Sequence, residues 1–144
     1  MFEVSVRATF AAAHSLRAYK GSCERLHGHN WEVEVVLRSD TLNELGMVAD
    51  FREVKQALAG ILEPWDHRYL NDLSPFQTLN PTAENLAQTV YKELTQRLPD
   101  RVKVSRATVW ESPGCGATFT EDPSPVPPPA RSSAGVSPAG HRAP

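Results

Sequence analysis

Three histidines, His14, His27 and His29, crowd into the first 29 residues of a 144-residue chain, and their type and spacing suit a metal ion. Only Gly28 separates His27 from His29. In an extended stretch side chains alternate, so both imidazoles would project from one face. An antiparallel partner ending near His14 would bring a third beside them. Three imidazoles with a fourth position open is the donor set of catalytic zinc, whereas structural zinc sites usually close with cysteines. Neutral nitrogen also suits zinc better than calcium or magnesium, which prefer oxygen. The same residues also read as a turn with two surface histidines and His14 as a satisfied polar residue. Spacing alone leaves both open.

Three further places could do chemistry. Cys23 lies four residues before His27. A lone cysteine is usually a small buried hydrophobe, but Ser22, Glu24 and Arg25 argue for a loop and partial exposure. A thiol near zinc or an arginine has a lowered pKa and can serve as base or nucleophile. Asp66 and His67 join a carboxylate to an imidazole, which suits proton transfer; the alternative is a turn after Pro64 with a surface histidine. Glu111 follows the stretch Ala107-Thr108-Val109-Trp110. Its default is a solvated carboxylate; if buried, it needs paired donors, such as the two parallel N–H groups of a guanidine-like ligand edge.

These groups must be placed by regular elements, and the patterning supplies them. Phe2, Val4 and Val6 alternate with Glu3, Ser5 and Arg7, the period of a half-buried strand. Trp31, Val33, Val35 and Leu37 alternate with Glu32, Glu34 and Arg38 to give a second. Asp50 with Glu53 resembles a capping box, and Phe51, Val54, Leu58 and Ile61 follow at helical spacing. Pro81-Thr82 with Glu84 opens a second helix whose inner stripe is Leu86, Val90, Leu94 and Leu98. Two more strands are expected near residues 102–111 and 117–120. The order predicts an α+β fold, a four-stranded antiparallel sheet with two helices on one face. Its two edges need protection, and copies joined edge to edge into a barrel would supply it.

Composition breaks near residue 121. Residues 121–144 hold seven of the twelve prolines and almost no large apolar side chain, so they are expected to form a disordered, Pro-rich tail, with His141 a solvated bystander. The folded domain is expected over residues 1–120. With 40% hydrophobic and 22% charged residues and a net charge of −2, the chain is ordinary for a soluble protein. It carries no basic footprint for nucleic acid or membrane. The start, MFEVSVRATF, has neither part of a signal peptide. Cys23 and Cys115 form no framework pattern and are expected as reduced thiols in a cytoplasmic protein.

Taken in chain order, the motifs resemble one family. They are Phe10-Ala11-Ala12-Ala13-His14, Cys23-Glu24-Arg25-Leu26-His27-Gly28-His29-Asn30, Met47-Val48-Ala49-Asp50-Phe51, Asp66-His67-Arg68-Tyr69-Leu70-Asn71, Pro81-Thr82-Ala83-Glu84-Asn85 and Glu111-Ser112. Together they look like the 6-pyruvoyl tetrahydropterin synthase superfamily across residues 1–120. That resemblance implies a tunnelling fold (T-fold), assembled as a barrel and stacked as a homohexamer, a dimer of trimers with active sites at subunit interfaces. It implies Zn2+ on His14, His27 and His29, with Cys23, Asp66 and His67 catalytic, the last two reaching a neighbouring subunit's site. Glu111 would anchor the pterin.

The three-residue gap between Cys23 and His27 resembles the 6-carboxytetrahydropterin synthase branch. It implies a lyase converting 7,8-dihydroneopterin triphosphate to 6-carboxy-5,6,7,8-tetrahydropterin, acetaldehyde and triphosphate, in queuosine and 7-deazapurine biosynthesis. The rivals are a 6-pyruvoyl tetrahydropterin synthase, or action on a related dihydropterin, and a non-catalytic zinc-binding interaction module. Arg17, Lys20 and Arg68 are available cations for the triphosphate.

Overall fold

The computed structural model describes residues 1–21 and 25–121. Cys23 therefore lies outside the described residues, and so does the expected tail apart from residue 121. Strand β1 (Phe2–His14) pairs antiparallel with β2 (His27–Ser39) in unbroken register, from Phe2 opposite Ser39 to His14 opposite His27. Helix α1 (Phe51–Leu62) follows, then a two-residue strand β3 (Arg68–Tyr69) and a 3-10 turn. Helix α2 (Ala83–Arg97), β4 (Lys103–Ser112) and β5 (Cys115–Phe119) are the last elements among the described residues. The sheet order is β3-β1-β2-β4-β5.

The four antiparallel strands are those expected. The fifth, β3, runs parallel to β1 and pairs only with Ala12 and Ala13. Two residues carry no periodicity, so patterning could not reveal it. Within one chain the sheet is open.

Both helices pack on one face, α1 against β1 and α2 against β4 and β5. That face is the core. Trp31, Val33, Val35 and Leu37 are fully buried, each removal from water contributing about 1.5–3 kcal/mol. Phe10 stacks on Trp31 at 5.9 Å and meets Trp65 edge-on at 5.7 Å. Asp50 caps α1 by accepting from the Arg52 amide at 2.9 Å, and Glu53 adds its charge to the positive end of the helix. Val54, Leu58 and Ile61 face the core. Phe51 does not: it is 51% exposed, because at the first helical position it reaches an open apolar groove beside Phe2 and Met47 instead. Thr82 caps α2 through the Asn85 amide at 3.1 Å. Leu86, Val90 and Leu94 are fully buried, while Leu98, just past the helix, is only partly so.

Among the described residues no helix lies over the other sheet face, yet Glu32 and Glu34 are also buried there. Arg7 shields them, 2.7 Å from Glu34 and 3.4 Å from Glu32, and its guanidinium lies 5.8 Å over the Trp110 ring. A buried carboxylate persists only with such a partner. Among the described residues no helix is long and apolar enough to cross a membrane.

Candidate metal centre and catalytic groups

Strand parity builds the metal centre. Phe10, Ala12 and His14 share one face of β1, and Trp31, His29 and His27 share the matching face of β2. The register sets Phe10 opposite Trp31, Ala12 opposite His29 and His14 opposite His27. The histidines thus continue the core stripe past its last aromatic residue. Their ring centroids lie 4.5–5.1 Å apart, and Trp31 meets His14 and His29 edge-on from beneath. Glu111 comes from β4, with the parity of Ala107 and Val109. Its Oε1 is 3.2 Å from His14 Nε2 and 3.0 Å from His29 Nε2. One donor atom from each of the four residues falls within 4.8 Å of all the others.

Backbone carbonyls decide which ring nitrogens are free. His14 Nδ1 lies 2.7 Å from the Pro81 carbonyl, and His27 Nδ1 lies 2.7 Å from the Arg25 carbonyl. A carbonyl only accepts, so each Nδ1 carries the proton and each Nε2 presents a lone pair. Those two Nε2 atoms face each other at 2.9 Å, and the buried His29 Nε2 has only the Glu111 carboxylate beside it, in poor hydrogen-bond alignment. Lone pairs converging without a donor between them are what a divalent cation satisfies. Burial pushes the His14 and His29 imidazoles below their ordinary pKa, which favours the neutral form. The donor set, nitrogen-rich with one carboxylate, fits a transition metal or zinc.

The Asp66–His67 pair is built differently. Asp66 Oδ1 accepts from the Ala11 amide at 2.9 Å, and its Oδ2 lies 3.0 Å from His67 Nδ1. The His67 amide donates to the Ala11 carbonyl. His67 adopts a left-handed φ of 58°, uncommon for a residue with a Cβ, and this turns the two adjacent side chains toward each other. Donation from the Ala11 amide, followed by the His67 ring, holds the Asp66 carboxyl below the usual range. The His67 side chain is 81% exposed and lines an open cavity of about 540 Å³ whose wall also includes His29 and Gly28, together with Ala11, Asn30 and Arg68. Ala11 and Ala13 alternate with Ala12 and His14, so they point away from the metal cluster.

One chain therefore gathers His14, His27, His29 and Glu111; Asp66 and His67 stand outside that donor cluster, His67 on a cavity that His29 also lines. The orienting carbonyls of Pro81 and Arg25 escaped sequence reasoning, since no side-chain pattern marks a carbonyl. The place of Glu111 among the metal donors was missed too; its parity with Val109 was the available signal.

Arg17 also has a settled place. Its guanidinium donates to the Phe76 carbonyl at 2.7 Å and to the Asn71 carbonyl at 3.2 Å. Asn71 grips both backbone groups of Ser15, and Asn80 grips both of Arg17. Arg17 thus ties down the chain leaving β1 through Nη2 while remaining exposed. Lys20 and Arg68 are exposed.

Comparison with known proteins agrees with this architecture. The sequence profile of one family, described as 6-pyruvoyl tetrahydropterin synthase, matches residues 3–122. The dihydroneopterin monophosphate aldolase of Pyrococcus furiosus is 36% identical over 105 residues, 73% of this chain and 85% of its own length. The 6-carboxy-5,6,7,8-tetrahydropterin synthase of Aquifex aeolicus is 35% identical over 124 residues, 69% of this chain and 76% of its own. Caenorhabditis elegans 6-pyruvoyl tetrahydropterin synthase superposes with a TM-score of 0.76 at 27% identity, covering 84% of this chain and 96% of that one.

Proposed function

We propose, for a chain that belongs to the 6-pyruvoyl tetrahydropterin synthase family, that it is a 6-carboxy-5,6,7,8-tetrahydropterin synthase dependent on zinc. Several similar proteins bear that name, at 28–38% identity. The observation that carries the reading is the convergence of three Nε2 atoms, two of them held as lone pairs by backbone carbonyls. His14, His27 and His29 would hold the zinc, which when bound supplies Lewis acidity to the hydroxyls of the substrate side chain. The substrate is 7,8-dihydroneopterin triphosphate. The products are 6-carboxytetrahydropterin, acetaldehyde and triphosphate, on the route to queuosine and other 7-deazapurines in the cytoplasm.

The chain's own residues divide the remaining work. Glu111 accepts the parallel N–H donors of the pterin's 2-amino edge. Cys23, as thiolate, removes a proton from the side chain. His67, oriented by Asp66, carries protons during triphosphate loss and carbon–carbon cleavage. Asp66 and His67 are not among their own chain's metal donors, and in this reading they serve a neighbouring subunit's site. A homohexamer of two stacked trimeric barrels provides that arrangement. Along β1, strand β3 covers only Ala12 and Ala13 on the outer side, which leaves a long edge for a neighbour's outermost strand.

Incubating the zinc-loaded protein with 7,8-dihydroneopterin triphosphate and weighing the products tests the assignment. Acetaldehyde together with carboxytetrahydropterin is expected. A pyruvoyl product would move the protein to the sister synthase. The likeness to the Pyrococcus furiosus aldolase favours a second reading, cleavage of dihydroneopterin monophosphate, so that compound belongs in the same assay. No turnover of either would leave a zinc-binding interaction module.

A further inference from the structure

The position of Glu111 carries more than the anchoring role. His14 Nε2 is 2.9 Å from His27 Nε2 and 3.2 Å from Glu111 Oε1, and His29 Nε2 is 3.0 Å from that same oxygen. A tetrahedral ion with bonds of about 2.0–2.1 Å requires ligand–ligand edges of about 3.3–3.4 Å. Three of the six donor–donor distances lie a little inside that value, and the rest are within 4.8 Å. Glu111 Oε1 is thus close enough to be a fourth donor, in the position a catalytic zinc leaves for water or substrate. The Glu111 side chain is one-third exposed, so the same carboxylate can be approached from outside the cluster.

These two demands compete. Accepting two parallel N–H groups from a pterin edge takes both carboxylate oxygens in one plane. Oε1 cannot meet that geometry while it completes the tetrahedron between two imidazoles. We propose that Glu111 is a switch between metal and substrate: it is the fourth metal ligand in the empty enzyme, and the pterin edge draws it away. Its departure opens the coordination position as the substrate's hydroxyls arrive. The metal is closed against adventitious ligands when the site is empty, and the ring must dock before the side chain can be activated. The inference rests on the metal-dependent reading above and adds an order of events to it.

Cobalt(II) and unsubstituted pterin test this without turnover, because four-coordinate cobalt reports its ligands by visible absorption and unsubstituted pterin has no side-chain hydroxyls to bind the metal. In the wild-type protein pterin should change the cobalt band while the metal stays bound. Glu111→Gln, which keeps the shape and removes the charge, should give a different band from the start, unresponsive to pterin. It should also bind cobalt at least about tenfold more weakly. Identical bands and affinities in the two proteins would overturn the proposal and leave Glu111 as a pterin anchor only. A wild-type band indifferent to saturating pterin would overturn it as well, making Glu111 a permanent ligand. Failure of the wild type to bind cobalt more tightly than His14→Ala would instead bring down the three-histidine metal site itself.

Discussion

The His14 side chain is 2% exposed and pinned through Nδ1 to a backbone carbonyl, whereas the His67 side chain is 81% exposed and held by a carboxylate. Both imidazoles stand against β1, one at its core-facing end and the other on the opposite side at Ala11. Burial keeps the first neutral, with a lone pair aimed inward, which is the state a metal needs. The second is open to solvent beside an ionised carboxylate and can exchange a proton with whatever enters the cavity. The same side chain thus suits two roles, and its surroundings select between them. The comparison also separates two groups: the four metal donors assemble within one chain, while Asp66 and His67 stand outside that cluster.

Removing a member of each half should separate the roles. His14→Ala should abolish metal binding, measured as bound metal per chain, and reduce turnover by about a thousandfold or more. His67→Ala should keep its metal in full and lose about a hundredfold in kcat, at the lower end of general acid–base contributions. Metal loss in His67→Ala would break the separation.

Mixing the two variants sharpens it. If each site takes its metal cluster from one subunit and its Asp66–His67 pair from another, reassembling equal amounts of the two inactive chains should restore activity to about a quarter of wild type. No recovery in a properly reassembled oligomer would place both halves of the chemistry in a single chain.

The smallest effect is on stability against pH. His14 and His29 are held below their ordinary value of 6.5, so the metal-free folded protein binds fewer protons there than the unfolded chain. Their stabilisation is complete above about pH 6.5 and is lost as pH falls through the lowered values. The Asp66 carboxyl is held below 3.8, so its contribution is lost only on more acid descent. Urea midpoints of the metal-free protein should therefore fall in two stages, and His14→Ala should flatten the first while leaving the second.

Much of this is legible in the order of residues. The alternation of Trp31, Val33, Val35 and Leu37 names the buried face of β2, and the same parity extends back to His29 and His27. Asp50 and Thr82 mark both helix starts. Other residues mislead: Phe51 fits the apolar stripe of α1 but lies at its first turn, outside the core. Glu32 and Glu34 alternate with the apolar residues of β2, yet they too are buried, paired with Arg7.

The division follows from range. Periodicity, caps and the His-Gly-His spacing are properties of a few consecutive residues, so the amino-acid order alone determined the α+β plan and three candidate donors on matching strands. The rest needed distant segments to meet. Pro81 fixes the His14 tautomer across 67 positions of chain, and Glu111 enters the cluster only because β4 pairs beside β2. Arg17 is committed to carbonyls more than fifty residues away. Asp66 and His67 face the outer cavity because a left-handed turn docks them on Ala11. Register and close approach over such separations are decided by packing, and packing exists only in the folded chain.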